Sequence, residues 1–429
     1  MKKIFGRFVD FAFENRIFAI GLGLRAILLV FVLATGRFWG GDSNHYLYYA
    51  QQVFLGQWGG ESNRVPFYLW FLCLFSPNVS KQAGSADIFF SLLVQSLLVV
   101  AAGYYLFKRF EKNKKLANKL LFFWIFDPVL LIFSNLVMAD ALFSVLLIFV
   151  GLFTLDVFEK QSIDKRKIIL MGGLSAAAIL TRTVALPVFV WTAVLWLLLC
   201  IQKKQKISGL VLWIVITSAL LAPRLYWCKT RYDRFTLATQ GESWMMSVAG
   251  VVENYGKGLD FYQSEEKWFR DHPHKRPDEV FRSIFSHFGS WLKLSAKGWV
   301  RVLVGHVNVE WGSLLFGESP LGPSWFKVQE HRSGLKVQGL GIVAWILGLL
   351  FTALFALSAY FFSVREMCRK FSFTQILKSP FLIWAVGSFI FLVLSPQVFG
   401  DARFRVGIWP FVLLIWGYCG TSSRKQKAH

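Results

Sequence analysis

The sequence predicts an all-α polytopic membrane protein with about ten transmembrane helices and amphipathic helices on its outer face. Three observations predict this class: apolar runs of membrane length, a strongly hydrophobic composition and a regular distribution of basic residues. Hydrophobic residues make up 55% of the 429 residues, 44 of which are Phe and 18 Trp, and the mean hydropathy is +0.48. A soluble domain of this size does not carry so many long apolar runs.

Ten segments are apolar enough to be taken as membrane spans. They lie near 16–36, 86–107, 116–134, 136–156, 168–181, 184–201, 207–227, 337–363, 379–396 and 404–420. They divide the chain into an N-terminal membrane core (1–227), a large extracytoplasmic loop (228–336) and C-terminal membrane helices (337–429). The first segment follows basic residues but lacks a clear small-x-small cleavage site, which predicts a retained anchor.

The basic residues fall in short loops on alternate sides of these segments. If ten helices cross the membrane, these basic residues all lie on the same side as Met1. Their clusters are 108–119, 160–167, 203–206, 365–370 and 424–427. The positive-inside rule therefore predicts that both termini are cytoplasmic. The net charge of +22 is accounted for in this way, and since no nucleic-acid-binding motif accompanies it, no nucleic-acid partner is predicted.

Two long loops lie on the predicted outer side, at about 37–85 and 228–336. Each contains a run whose apolar residues share one helix face. These runs are Tyr46, Tyr49, Ala50, Val53 and Phe54, and Val280, Phe281, Ile284, Phe285, Phe288, Trp291 and Leu292. Both are expected to lie on the membrane surface with the aromatic face down and to form a pocket at the headgroup level.

Two acids lie at helix ends on this outer side, Asp42 after the first span and Asp140 near the turn between the third and fourth. A carboxylate at a membrane surface often marks a functional site, because it is costly unless it is solvated or paired. Asp42 also precedes an apolar-periodic run, so helix capping is an equally good interpretation of it taken alone. Two such acids on one side favour a shared site.

Four arginines also lie on the outer side, where the topology rule does not account for them: Arg64, Arg182, Arg403 and Arg405. Arginine binds phosphate through paired N–H donors, so the pattern indicates recognition of a lipid phosphate. The alternative is snorkelling, or pairing with Asp401 or Glu61. Inside the membrane, Arg25 and the interrupting Asp127-Pro128 are a conceivable pair.

No metal-ligating set is predicted. The cluster Asp271-His272-Pro273-His274 has suitable residue types but no helical spacing and no third nearby ligand, so it is interpreted as a polar loop. The five cysteines form no CxxC pair, which supports neither a zinc-thiolate site nor a disulfide framework.

Several of these motifs together resemble a known family. Gly41-Asp42-Ser43-x-x-Tyr46-Leu47-x-x-Ala50, Gly56 and Arg64-x-Pro66-x-Tyr68 resemble the first outer loop of GT-C glycosyltransferases. The branch is that of the bacterial transferases similar to protein O-mannosyltransferases and lipid A aminoarabinose transferases, which are phospholipid carrier-dependent. Asp127-Pro128 to Phe143, Leu180-Thr181-Arg182 and Gly400-x-x-Arg403-Phe404-Arg405 resemble later parts of it, although Asp127 and Asp140 stand where that branch often has Asn and Glu.

The resemblance implies an inverting transfer of a sugar from a polyprenyl-phosphate donor to a glycan, lipid or protein acceptor, on the outer side of a bacterial inner membrane. A carboxylate can serve as general base for the acceptor hydroxyl, a role assigned to Asp42. Asp140 would orient the acceptor or hold a divalent cation, which is possible but not required. The four arginines would stabilise the leaving phosphate, and Tyr46 and Tyr68 would line the pocket.

Two other classes of function remain open on the sequence alone. One is a flippase or transporter of lipid-linked saccharide, which would need a continuous polar path across the bilayer. The other is a non-catalytic membrane assembly factor, with the large outer loop as its docking surface. Within the transferases, a ligase that uses a pyrophosphate-linked donor is a further alternative.

Overall fold

The computed structural model describes residues 11, 14–38, 42–55, 65–76, 78–80, 83–159, 164–238, 240–255, 257–259, 261–272, 277–304, 340–396 and 404–422. Within these ranges every regular element is helical. The first half contains α1 (Arg16–Thr35), α2 (Ser43–Phe54), α3 (Phe67–Phe75), α4 (Ser85–Phe110), α5 (Lys114–Ile125), α6 (Pro128–Phe133), α7 (Asp140–Glu159), α8 (Lys165–Thr181), a 3-10 turn (Thr183–Ala185), α9 (Leu186–Ile201) and α10 (Ile207–Tyr232). The second half contains α11 (Gln240–Glu253), α12 (Phe261–Asp271), α13 (Pro277–Ser286), α14 (Phe288–Val304), α15 (Leu340–Lys370), α16 (Phe373–Lys378), α17 (Pro380–Leu394) and α18 (Arg405–Ser422).

Six of the described helices are long and apolar enough to cross a membrane, namely α1, α4, α7, α9 with its preceding turn, α10 and α15. The described part of the chain is therefore all-α and has the helices of an integral membrane protein. The expected count of ten spans is not confirmed. Each of the other four segments contains helix, but these helices do not all have the length of a span.

The third predicted segment shows the physical reason for this difference. It consists of two helices, α5 and α6, separated at Asp127-Pro128. Asp127 has a non-helical backbone (φ −58, ψ 119) and its carboxylate accepts a hydrogen bond from the Leu130 amide at 2.7 Å, while Pro128 fills the first helical position. Proline lacks an N–H and is suited to a first turn, so a helix ends before it and another begins. The interruption that the sequence predicted here is confirmed.

The core is built around α7, which packs against α4, α8 and α18, while α18 also packs against α5, α15 and α17. Side chains on all faces of α7 are buried, from Ala141 to Val157. A helix that is apolar all round belongs at the centre of a bundle. Its two ends therefore define the two ends of the molecule, called here the Asp140 end and the basic end.

Ion pairs and hydrogen bonds gather the basic loops at the end where α7 finishes. Arg109 pairs with Asp156 at 3.3 Å and with Glu159 at 2.7 Å, and Lys167 pairs with Asp156 at 3.2 Å. The Gln205 amide donates to the carbonyl of Val157 at 2.7 Å. Loops from three parts of the chain thus meet at one end of the bundle, as the alternating charge pattern predicted.

Helices α11 to α14 form a smaller group with its own core of Met246, Val248, Ala249, Val252, Trp268, Val280 and Ile284. The continuous amphipathic helix expected across 280–292 is wrong in two respects. The chain is divided between α13 and α14, and the apolar residues do not share one face. Val280 and Ile284 are buried, whereas Phe281 and Phe285 are 53% and 69% exposed, because each lies about 100° further round the helix.

Candidate functional site

A buried ion pair joins two of the predicted site residues at the Asp140 end. The Asp140 carboxylate lies 2.9 Å from the Arg182 guanidinium, and their side chains are 0% and 14% exposed. Asp140 is in the first turn of α7, where the helix dipole favours a negative charge. Arg182 is the residue at which α8 ends, with extended backbone (φ −150, ψ 121), so the chain turns and directs it toward Asp140.

Besides the ion pair of Asp140 with Arg182, two buried polar groups in this region have no hydrogen-bond partner among the described residues. They are the second carboxylate oxygen of Asp140, Oδ2, and the Ser144 hydroxyl. Ser144 lies one turn after Asp140 and therefore on the same side of α7. Buried polar side chains are almost always hydrogen-bonded. A cluster of such groups beside an ion pair is therefore a feature expected of a site for a polar ligand. Ser144 was not among the residues predicted from the sequence, although its i, i+4 spacing from Asp140 is a signal that points to it.

Tyr68 and Tyr46, the two predicted pocket residues, lie together. Their rings meet edge to face with centroids 4.9 Å apart, and both side chains are buried. Burial is the main reason that the pKa of Tyr68 is raised well above its usual value, and the nearby Tyr46 and Asp140 raise it further. The hydroxyl of Tyr68 is therefore a hydrogen-bond donor at neutral pH. The helix predicted around Tyr46 is confirmed as α2, but Tyr46, Tyr49 and Ala50 are buried in the protein core instead of lying on the membrane surface.

Asp42 occupies the N-cap position of α2, yet its side chain accepts no capping hydrogen bond. Capping by the carboxylate, which was an equal alternative, is not the role it has in this structure. Its neighbours are fixed to the segment before Asp140. The Ser43 hydroxyl donates to the carbonyl of Val137 at 2.9 Å, and the Val137 amide donates to the carbonyl of Phe38 at 3.0 Å. The Asp42 turn is thus held against the connection that leads into α7.

Arg405 is fully buried and forms an ion pair with Asp127 at 3.3 Å. Asp127 and Asp140 therefore each have an arginine beside them. Arg25, which the sequence offered as a conceivable partner of Asp127, donates to the Ile125 carbonyl at 3.0 Å and to the Ser134 hydroxyl. The partner of Asp127 could not be read from the sequence, since 278 residues separate it from Arg405.

The start of α18 adjoins the Asp140–Arg182 pair. The Arg182 guanidinium lies over the ring of Phe404, 5.3 Å from its centroid, and Phe404 precedes Arg405. The structure thus assembles parts of the first outer loop, α7, the end of α8 and the start of α18. Two further predicted phosphate-binding residues, Arg64 and Arg403, lie outside the described residues.

A divalent cation does not fit the donors described at this end. The Arg182 guanidinium already lies against the Asp140 carboxylate. Within the described part of the chain, no three His, Cys, Asp or Glu side chains converge as metal ligands would. A positive charge this close opposes the binding of a cation to the same oxygens.

Searches for known proteins of similar sequence or fold give no match: no protein-family model, no curated protein and no solved structure matches this chain.

Proposed function

We propose that the protein is a membrane glycosyltransferase that moves a sugar from a polyprenyl-phosphate donor to an acceptor hydroxyl. The observation that carries this proposal is the buried Asp140–Arg182 pair, with the unpartnered Ser144 hydroxyl and the buried Tyr68 hydroxyl in the same region. Such groups suit a polar headgroup, and the surrounding apolar helices suit a donor whose carrier is a lipid.

Arg182 is the best candidate for holding the donor phosphate. A guanidinium has five N–H donors, and its ion pair with Asp140 leaves donors available for phosphate oxygens. Asp140 acts in this proposal as the positioning residue for Arg182.

Asp42 acts as the general base. As the acceptor oxygen attacks the anomeric carbon, its proton passes to the Asp42 carboxylate and the bond between that carbon and the phosphate oxygen breaks. The electron pair leaves on the phosphate, where Arg182 stabilises the added charge. Direct displacement inverts the configuration of the anomeric carbon. Support for Asp42 comes from its turn, which Ser43 and Phe38 attach to the segment leading to Asp140.

The test is a transfer assay with purified full-length protein and a radiolabelled polyprenyl-phosphate sugar, with and without an acceptor extract. We expect labelled acceptor with the wild type. Asp42→Asn should lose transfer by at least about a hundredfold, as expected for a general base. Asp271→Asn is the matched control, since it removes an exposed carboxylate from α12 and should leave transfer unchanged.

Two outcomes would reject the proposal. Full activity of Asp42→Asn would remove the base from the mechanism. Movement of the labelled lipid between leaflets without cleavage of the sugar–phosphate bond would instead identify a flippase. A matching loss in Asp42→Asn and Asp271→Asn would indicate a general loss of folded protein, and size-exclusion profiles of both variants check this.

A further inference from the structure

A cavity lies at the basic end, outside the candidate site. It has a volume of about 810 Å³ and is lined by the ends of α4, α7, α15 and α18 and by the start of α5. Leu155 and Glu159, at the end of α7, are part of its wall. Asp140 begins the same helix of 20 residues, so the two sites are separated by about 30 Å.

Positive charge dominates the lining of this basic cavity. The cationic side chains are those of Arg109, Lys112, Lys115, Lys119, Arg369 and Lys370, and the only carboxylates among its described lining residues are Glu159 and Glu366. Both carboxylates are already paired, Glu159 with Arg109 at 2.7 Å and Glu366 with Arg369 at 3.0 Å.

The four lysines of the cavity are not neutralised in this way. None of Lys112, Lys115, Lys119 and Lys370 has an ion pair with any described carboxylate. Lys119 contacts the ring of Phe362 at 5.4 Å from its centroid. Four ammonium groups around one concave surface repel each other, and an anion placed among them would relieve that repulsion.

The start of α5 adds to the positive potential. This helix of 12 residues begins at Lys114 and has no acidic residue in its first turn. The helix dipole is positive at that end, where an acid is normally favourable and a lysine unfavourable. The positive-inside rule accounts for lysines in this loop. It does not require them to converge with another helix end on one cavity.

Apolar and aromatic side chains form another part of the cavity wall. They include Leu116, Phe158, Phe371 and Trp416, next to Gly420. A methyl group at Gly420 would collide with Leu116, so the glycine allows α18 to approach α5 at the floor of the cavity. The combination of lysines and apolar side chains in one lining matches an anion that carries a hydrocarbon chain.

From these features we propose that the basic cavity binds the phosphate of an anionic phospholipid, with its headgroup among Lys112, Lys115, Lys119 and Lys370 and its chains along the apolar wall. Basic pockets between transmembrane helices are suited to such headgroups. A soluble phosphate compound offers the same anionic group without the chains, so the test must distinguish the two sources.

The test compares lipid binding by delipidated full-length protein in detergent, measured by native mass spectrometry. The probes are dioleoylphosphatidylglycerol, dioleoylphosphatidylcholine and inorganic pyrophosphate. The cavity variant carries Lys112→Gln, Lys115→Gln, Lys119→Gln and Lys370→Gln. The control variant carries Lys165→Gln, Lys203→Gln, Lys204→Gln and Lys206→Gln, which removes the same charge from exposed positions outside the cavity.

We expect the wild type to prefer phosphatidylglycerol over phosphatidylcholine. The cavity variant should lose about tenfold or more of that affinity, and the control variant less than about twofold. Higher salt should weaken binding to the wild type, because screening reduces attraction between charges, and this measurement needs no variant. If the fourfold variant does not fold, the single substitution Lys370→Gln, at the end of α15, should still give a smaller loss of affinity for phosphatidylglycerol.

The measurement with pyrophosphate distinguishes a lipid headgroup from a soluble phosphate compound. Pyrophosphate that competes only at concentrations far above those of the lipid supports a lipid headgroup. Pyrophosphate that binds as tightly as the lipid, with a loss in the cavity variant, supports the same anion site with a soluble ligand. Equal losses of lipid affinity in the cavity and control variants would overturn the proposal. So would a wild type that prefers neither phosphatidylglycerol nor pyrophosphate over phosphatidylcholine.

Discussion

At the scale of single residues, the Asp140–Arg182 pair determines what substitutions at this end of the molecule will do. Both side chains are largely withdrawn from solvent, so each charge depends on the other for compensation. Removing one partner of a buried pair leaves an isolated charge, whereas removing both leaves none. The pair therefore affects stability in a way that is measurable apart from any reaction.

We expect Arg182→Gln to destabilise the protein by about 3–5 kcal/mol, because it leaves the Asp140 carboxylate buried without a counter-charge. The double substitution Asp140→Asn with Arg182→Gln should recover a large part of that loss. Thermal unfolding in detergent, compared across the two single variants and the double variant, measures the coupling. Strictly additive effects would show that the two groups do not interact in the folded protein.

Asp127 gives a second test at this scale, since one carboxylate both caps α6 and pairs with Arg405. Asp127→Asn keeps an oxygen for the Leu130 amide and removes the charge. Asp127→Ala removes both, so it should be the less stable of the two by about 1 kcal/mol, the usual value of an N-cap. Equal unfolding temperatures for these variants would mean that the cap contributes nothing.

At the scale of elements, α13 has two different faces. Val280 and Ile284 pack inside the group α11–α14, while the rings of Phe281 and Phe285 stack outside it with centroids 6.5 Å apart. Exposed aromatic residues next to each other are unusual on a water-facing surface, and they are common on helices at a membrane interface. The membrane-surface placement stays a prediction, and these two residues are the ones to which it is limited.

Spin labels placed on α13 test this placement. Labels at positions 281 and 285 should be accessible to oxygen and protected from a water-soluble nickel reagent in reconstituted vesicles. Labels at Arg282 and Ser286, which are exposed on an adjacent side of the same helix, should show the opposite pattern. The same accessibility at all four positions would place α13 away from the lipid surface.

The elements also show what the sequence could and could not predict. Helix positions followed from apolar runs because burial in lipid or in a helical core requires the same side chains. Proline made the division at Asp127-Pro128 predictable. The lengths of the individual helices were not predictable in the same way. Helices α8 and α17 have only 17 and 15 residues, and both pack against neighbouring helices. The pairing of Asp127 with Arg405 depends on tertiary contacts that no local pattern encodes.

At the scale of the whole molecule, the two ends of the bundle differ in character. One contains the Asp140–Arg182 pair, and the other gathers the basic loops around the end of α7. The charge rule predicts that the basic end faces the cytoplasm. This orientation has a direct consequence for which residues a reagent can reach from each side of the membrane.

Single cysteines test the orientation in a variant whose exposed native thiol has been removed by Cys368→Ser. A cysteine at Asp271 should react with a membrane-impermeant maleimide in intact cells. A cysteine at Lys204 should react only after the membrane is made permeable. Labelling of both positions in intact cells, or of neither, would contradict the predicted topology.

The short helix α17 has a consequence for the bilayer itself. Its 15 residues extend about 22 Å, whereas the hydrocarbon core of a membrane is about 30 Å thick. If α17 spans the bilayer as the sequence predicts, its exposed Ile390, Phe391 and Leu394 would meet lipid over less than the full hydrocarbon thickness, and local thinning of the bilayer is one way to match them. The acyl-chain length of the surrounding lipids would then be a variable to which the protein responds.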